Sequence, residues 1–466
     1  MSAVDKFFKI SERNSNIRQE VQGGIVTFCA MSYIVVLNAS ILSGKDTTGA
    51  VLDPTGIGLV SQTTALVAGL ITILMGFAAN VPIAIAAALG LNSVVAVCAS
   101  TIPGARWEFI MGLVVIEGIL ILFLALTGLR KLVFDIVPQS LRISIGVGIG
   151  LFITFAGLWN SGFISSGNGT PLQLDENGSI TRIPTLIFII CLFSMIILHI
   201  KQIPGGALIT IIAGTILSVV LEKYLQLGSI HDNIRGWMSN VPNFSGKIFL
   251  LPNFSLIGKI DILGAFEYIG TLTCILMILT LFLSDFFDTM GTMISVATEG
   301  NLLDKDKNPV NAQKILVVDS FGAIFGGFCS VSSNSTYIES LTGVAAGART
   351  GLASIITGIL FLVSTFFAPL TTIVPAEVTS AALVFVGLLM ISNIVKINWS
   401  DLTESFPAFM VIIITPFTYS IANGIGAGFV TVVVTKLFSG KIKEIHPLIW
   451  IISIMFLVYF ARTILL

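Results

Sequence analysis

Three acidic residues interrupt stretches that are otherwise apolar enough to cross a bilayer, and no other feature constrains the chain so tightly. They are Asp285 and Asp288 in LFLSDFFDTMGTMISV and Glu339 in SSNSTYIESLTGVAAGARTG. A carboxylate at membrane depth is costly and is read as functional by default. Composition supports the membrane setting: 55% of the 466 residues are hydrophobic and 11% charged, against about 25% charged in an ordinary soluble domain. Apolar runs of about 20 residues, enough to span the hydrocarbon core, recur from Gly24 to the last residue. The expectation is an all-α polytopic membrane protein, with residues 1–466 forming one integral membrane domain.

Several function classes fall away. The net charge is −1 and the basic residues sit in short loops, so a nucleic-acid partner is not expected. The polar opening, MSAVDKFFKISERNSNIRQE, lacks the layout of a cleaved signal, which leaves targeting to the first span. Cys29, Cys98, Cys191, Cys274 and Cys329 form no C-x-x-C pair and read as small buried hydrophobes. His199, His231 and His446 share no ligand spacing. No metal or cofactor is expected, and with neither an H-E-x-x-H motif nor a Ser/His pairing the chain does not read as an enzyme.

Spans are expected near 24–43, 57–79, 81–100, 108–128, 139–161, 183–200 and 204–222. A long polar connection with Trp237 follows, read as a cover between two halves. A second set is expected near 266–298, 313–330, 332–348, 350–369, 376–395, 406–421, 422–438 and 446–465, its last three being either two spans, one of them broken, or three. Lys6, Lys9, Arg13 and Arg18 precede the first span. Arg130, Lys131, Lys201, Lys305, Lys307, Lys314, Arg349 and Lys396 follow even-numbered ones. By the positive-inside rule these segments and the N-terminus are cytoplasmic, in a multi-pass protein of the plasma membrane with lipid around it. The N-x-S/T triplets at Asn168 and Asn177 are read as chance.

The halves, about 20–225 and 262–466, carry a weak internal repeat, the mark of many transporter folds. Ile136, Val137 and Pro138 match Ile373, Val374 and Pro375, each triplet opening a long apolar helix, and Pro184 and Pro407 open the next spans in the same register. Seven spans per half is odd, so the second half must be inverted. The third span of each half is unusual: NVPIAIAAALGLNSVVAVCAS holds Gly90 and Asn92 in its middle, and its counterpart SSNSTYIESLTGVAAGARTG begins as a polar, β-branched run. Unpaired backbone in a membrane survives only where protein or a cavity covers it. Both spans are therefore expected to be broken, extended stretches leading into half-helices whose N-termini face a midplane ligand. The alternative use of Gly343, Gly347 and Gly351 is close helix packing.

Asp285 and Asp288 stand three apart, on neighbouring positions of one helical face. Two carboxylates that close in low dielectric repel, so one is expected to hold a proton, as a proton-coupled carrier requires. A carboxylate also accepts two hydrogen bonds in one plane, which suits a flat heterocycle with adjacent N–H donors, and Asn92 can both donate and accept. Glu117 and Asp319 are also intramembrane and read as structural polar pairs. Asp175, in an outer loop, is expected to matter little.

Long segments carry a family resemblance: RQEVQGGIVTFCAMSYIVVLNASIL, ALGLNS, DFFDTMGT, STYIESLTGVAAGARTGL and FPAFMVIIITPFTYSIANGIGAGF. Across essentially its whole length the chain resembles the AzgA-like purine permeases, the hypoxanthine/guanine/adenine branch of the nucleobase–ascorbate transporter superfamily, related to the uracil and xanthine permeases. The resemblance implies about fourteen membrane segments as two inverted seven-span repeats, interleaved core and gate subdomains, and proton-coupled purine uptake by an elevator-like movement. Matched motif by motif, it makes Gly90, Asn92, Asp285, Asp288 and Glu339 the expected site residues. Glu339 and Asp288 would bind the base edge, Asp288 or Asp285 would carry the coupling proton, and Tyr337 and Phe28, with Tyr33, would stack on or shield the ring. Asp288 stands where related uracil carriers have a glutamate, and the shorter acid would leave room for a bicyclic base. ALGLNSVV departs from the more usual GMGLNA-type run. The residues do not choose among the purines; they favour a proton over sodium and leave a homodimer open, since dimers occur among related carriers. The rival readings are an anion carrier on the same inverted-repeat fold and a xanthine/uracil-type carrier.

Overall fold

A computed structural model describes residues 3–54, 56, 58–128, 136–167, 169–175, 178–230, 235–238, 240–244, 246, 248–304 and 309–465. The expectations for Arg130, Lys131, Asn168, Asn177, His231, Lys305 and Lys307 fall outside the described residues. The first half runs α1 (Ala3–Phe8), α2 (Ile17–Met31), α3 (Ile34–Ile41), α4 (Leu59–Ala78), β1 (Ile85–Ala87), α5 (Leu89–Thr101), α6 (Trp107–Thr127), α7 (Gln139–Asn160), β2 (Ile164–Ser165), β3 (Gln173–Leu174), α8 (Ile183–Ile200) and α9 (Gly206–Leu225). The second half runs α10 (Ile262–Tyr268), α11 (Thr271–Glu299), α12 (Ala312–Phe328), β4 (Asn334–Thr336), α13 (Ser340–Ala345), α14 (Gly351–Ser364), α15 (Ala376–Ile391), α16 (Leu402–Phe417), α17 (Ile421–Phe438) and α18 (Pro447–Leu465). Among the described residues, ten helical segments are long and apolar enough to cross a membrane. The chain is a multi-pass membrane protein.

Element ends follow local chemistry. The first apolar helix begins at Ile17 rather than Gly24, because Asn16 caps it by accepting from the Gln19 N–H. Pro138 and Pro375 are the N-caps of α7 and α15, as the Ile-Val-Pro match predicts. The second proline correspondence is looser: Pro184 lies in the first turn of α8, whereas Pro407 lies inside α16, which starts earlier at Leu402 behind an Asp401 cap. The ambiguous C-terminal region resolves into three helices, α16, α17 and α18.

Packing is nearly unchanged when the halves are exchanged. Matching α2/α3 with α11, α4 with α12, β1–α5 with β4–α13, α6 with α14, α7 with α15, α8 with α16 and α9 with α17 maps contacts onto contacts. Thus α4 packs on α14 as α12 packs on α6, α2 on α14 as α11 on α6, and α7 on α16 as α15 on α8. Helices α10 and α18 have no counterpart in this exchange. Glycine permits the closest of these approaches. An added Cβ on Gly358 would lie 2.6 Å from the Gly69 carbonyl oxygen, and one on Gly327 2.8 Å from that of Met111, so α4–α14 and α6–α12 meet backbone to backbone, as small residues allow in membranes. Gly343 does the same for α13 against Gly23 of α2.

Helices α2–α6 with α11–α14 and helices α7–α9 with α15–α17 make two packing groups, and the long connection after α9 joins them. Trp237 is fully buried and donates from Nε1 to Glu222 at 2.8 Å, while the Met238 N–H donates to Glu377 of α15. Further on, the Asn253 N–H donates to Gln62 of α4, and the Leu250 N–H to the Phe366 carbonyl. Asp175 corrects the sequence expectation. It is completely buried, pairs with Arg182 at 2.6 Å and accepts from Thr181 N; a buried acid with its own cation is a structural member, because removing either partner strands the other.

Candidate functional site

The site is organised by two short strands deep in the fold. β1 and β4 pair antiparallel, with Ile85, Ala86 and Ala87 opposite Thr336, Ser335 and Asn334. The Ala88 N–H donates to Ser333 O at 3.0 Å and the Tyr337 N–H to Ala84 O at 2.9 Å, which extends the ladder at both ends. Backbone that is not helical needs such partners where water is absent. Thr72 of α4 completes the pattern, its hydroxyl donating to Ile85 O and accepting from Ile85 N. Gly326 of α12 makes room, since a Cβ there would overlap the Ser332 carbonyl and the Asn334 side chain.

Each strand feeds a helix: Asn92 lies on the first, Glu339 caps the second, and Asp285 and Asp288 come from α11. Glu339, half-buried, sits at the start of α13 and accepts a 2.5 Å hydrogen bond from the Tyr33 hydroxyl. Asp288 lies midway along α11 with its side chain exposed, close enough to Glu339, Asp285 and Tyr337 for their charges to interact. Asn92, in the first turn of α5, is fully buried, and neither its amide oxygen nor its nitrogen has a hydrogen-bond partner. A buried, unmatched amide costs free energy on the order of 1–3 kcal/mol, so a position of this kind favours a group able to satisfy it.

The acids separate. Asp285 and Asp288, expected on one face, differ by about 60° in direction, the offset that three residues impose on an α-helix. Asp288 reaches open space, whereas Asp285 is completely buried and accepts from Ser333 Oγ at 3.0 Å. Asp319 of α12 is also fully buried and accepts from Thr289 Oγ1 at 2.9 Å and from the Thr336 N–H at 3.2 Å. Thr289 in turn shares a 2.8 Å hydrogen bond with Ser335.

Other expected site residues have defined contacts. The Tyr337 hydroxyl donates to Ala87 O at 2.6 Å, so this side chain staples β4 to β1. Phe28 meets Phe361 edge-on, ring centres 5.1 Å apart. A Cβ on Gly90 would come 2.6 Å from Ile149 of α7, so this glycine lets α5 approach the other packing group. α13 is only six residues long, leaving α5 as the half-helix with a dipole of any size. Tyr33 entered the sequence reading as a ring neighbour; its role as donor to Glu339, 306 positions away, had no local signal. Among the described residues, no group of three His, Cys, Asp or Glu side chains is arranged to hold a metal ion.

Comparisons with known proteins bear on the family and the fold. The xanthine/uracil permease model, Xan_ur_permease, described as "Permease family", matches residues 18–427. The chain is 36% identical to the guanine/hypoxanthine permease PbuG of Bacillus subtilis, covering 97% of this chain and 98% of that protein. It is 34% identical to the adenine permease AdeQ of Escherichia coli, covering 97% and 95%. Among solved structures, the transmembrane domain of the cyanobacterial bicarbonate transporter BicA superposes with a TM-score of 0.63 at 14% identity, covering 89% of this chain and 97% of that one. That last likeness is one of fold.

Proposed function

Because the chain belongs to the xanthine/uracil permease family, we propose that it is a secondary active transporter, not an enzyme, taking up hypoxanthine, guanine or adenine together with protons by alternating access. The observation that carries this reading is the convergence of Glu339 and Asp288, from different elements, within electrostatic reach of each other, with the unsatisfied amide of Asn92 on the partner half-helix. A purine is flat and presents ring N–H donors and acceptors along its edges. Two carboxylates can accept from such donors, and an amide can answer a carbonyl or ring nitrogen. The names of the relatives, guanine/hypoxanthine and adenine permeases, support the substrate class. Carboxylates at the centre disfavour an anion as cargo.

In this reading the seven matched pairs of elements are fourteen membrane segments in two inverted repeats, the third and tenth broken at β1 and β4. α2–α6 with α11–α14 form the core subdomain, and α7–α9 with α15–α17 form the gate. The N-terminus faces the cytoplasm of a cell whose plasma membrane holds the protein. Tyr33 occupies Glu339 when no base is bound, and substrate displaces its hydroxyl. The coupling proton is held among the buried carboxyls on the Asp285 side of α11.

The test is uptake of labelled hypoxanthine, guanine and adenine by proteoliposomes, with and without an inward proton gradient. Accumulation of at least one purine that requires the gradient is expected. Failure of all three, with accumulation of bicarbonate or another anion instead, would overturn the reading.

A further inference from the structure

Beside Ser333 and Ser335, at the start of β4, lies a second cluster of acids, buried more deeply than Glu339. Its members come from three helices: Glu117 from α6, Asp285 from α11 and Asp319 from α12, all with no exposed surface. Asp285 and Asp319 are held by hydroxyls and backbone, namely Ser333 on Asp285, and Thr289 and the Thr336 N–H on Asp319. Glu117 is different. Its carboxyl faces Asp285 and Ser333, with Asp319 also within electrostatic reach, yet neither of its oxygens is engaged in a hydrogen bond of good geometry. One oxygen of Asp285 is likewise unpartnered. Two hydrogen-bonded carboxyls therefore lie beside a third without a hydrogen-bond partner, all three completely buried.

Among the described residues, no cation balances them. The elements packed on α6 are α5, α10, α11 and α12. From these, the charged groups that reach Glu117 are Asp285 and Asp319. Asp288 is on α11 but opens to the other side, Lys314 is exposed in the first turn of α12, and Glu267 and Tyr268 end α10. Arg106 lies before the start of α6, stacked on Phe109 and Tyr268. Three carboxylates in low dielectric without a positive partner do not all stay ionised. A metal ion is a poor alternative occupant, because no trio of such side chains among the described residues has a metal-holding arrangement.

We propose that Glu117 is the proton-binding group of this transporter, in a pocket shared with Asp285 and Asp319 that is separate from the substrate site. A proton on Glu117 gives its carboxyl a donor for the free oxygen of Asp285. When that proton leaves, the new charge repels Asp285 and Asp319. Ser333 holds Asp285, the Thr336 N–H holds Asp319, and Ser335 bonds the Thr289 that also donates to Asp319; all three lie on the segment that leads to Tyr337 and Glu339, so the load state reaches the base-binding carboxylate along β4. Ser333, Ser335 and Thr289 are positioning residues in this scheme. The coupling part of the inference rests on the purine-uptake reading; the proton site itself does not.

Two measurements separate them. In the purified full-length protein, the infrared C=O band of a protonated buried carboxyl, identified by its shift in D2O, is expected in wild type and lost in Glu117→Gln. An unchanged band in the variant would overturn the proton site, whatever the cargo. In proteoliposomes, the ratio of gradient-driven purine accumulation to purine exchange is expected to fall about tenfold or more in Glu117→Gln, within the range of ordinary coupling energies, and its pH dependence to flatten. Wild-type accumulation by this variant, equal loss of accumulation and exchange in monodisperse protein, or wild-type uptake driven only by sodium would each refute the coupling role. If Glu117→Gln is not monodisperse, Glu117→Asp answers the same question: a displaced pH midpoint supports the assignment, and an unmoved one rejects it. Purine transport failing in wild type while the infrared band behaves as expected would count against the cargo alone.

Discussion

The two strands at the centre of the fold share one geometry and carry opposite chemistry. β1 offers Ile85, Ala86 and Ala87, followed by Ala88, Leu89 and Gly90; β4 offers Asn334, Ser335 and Thr336, preceded by Ser332 and Ser333. In the first half the strand serves as backbone and close packing, and its helix adds a buried amide without a hydrogen-bond partner, Asn92. In the second half, strand side chains and backbone hold two buried acids, and the chain turns directly into Glu339. Repetition supplies a frame for two strand–helix elements, and divergence of side chains sets the second apart by its polar chemistry. Of the five acids around the strands and site, Asp285, Asp288, Asp319 and Glu339 lie in the second repeat, and Glu117 alone comes from the first.

Mutations can break that contrast. The largest effect is expected for Glu339→Gln, which keeps shape but removes the charged acceptor: purine affinity in a binding assay should fall about 100-fold, the scale of a lost hydrogen bond to a charged group. Wild-type affinity would remove Glu339 from the site. Asp288→Asn should cost about tenfold in uptake with little change in melting temperature, because Asp288 is exposed; a loss of stability instead would make it structural. Ser333→Ala sharpens the contrast between strands. It strands Asp285 without its hydroxyl donor and should lower stability by about 1–2 kcal/mol, read by thermal unfolding in detergent. Tyr33→Phe frees Glu339 from its internal partner and should raise purine affinity by about two- to fivefold; a fall would make the tyrosine a substrate contact. At the small end, Glu12→Gln removes an exposed i,i+3 pair with Lys9 and should change stability by less than about 0.5 kcal/mol. Asp175, buried against Arg182, does not serve as such a neutral acid.

Much of this was legible from residues in order. Long apolar runs gave the membrane helices, the Ile-Val-Pro match located α7 and α15, and the polar run before Glu339 indicated a segment that could not be an ordinary lipid-facing helix. What was not legible depended on partners far apart in the chain. Tyr33 and Glu339 meet across 306 positions, and Asp175 looks like any loop acid until Arg182 folds over it. Asp285 and Asp288 read as a pair because helical periodicity says which positions are neighbours, but not which of two neighbouring directions is walled by protein.

The sequence by itself determined the class of the molecule: its membrane setting, its duplicated plan, and the acids that could not be there for lipid. These follow from hydropathy and from the high cost of charge in hydrocarbon, both of which are properties of local composition. Tertiary structure decided which acid faces open space, which accepts from a tyrosine, and which three are sealed together behind β4. A carboxyl group's role depends on the donors, charges and water within a few ångströms, and here those neighbours arrive from helices hundreds of residues apart.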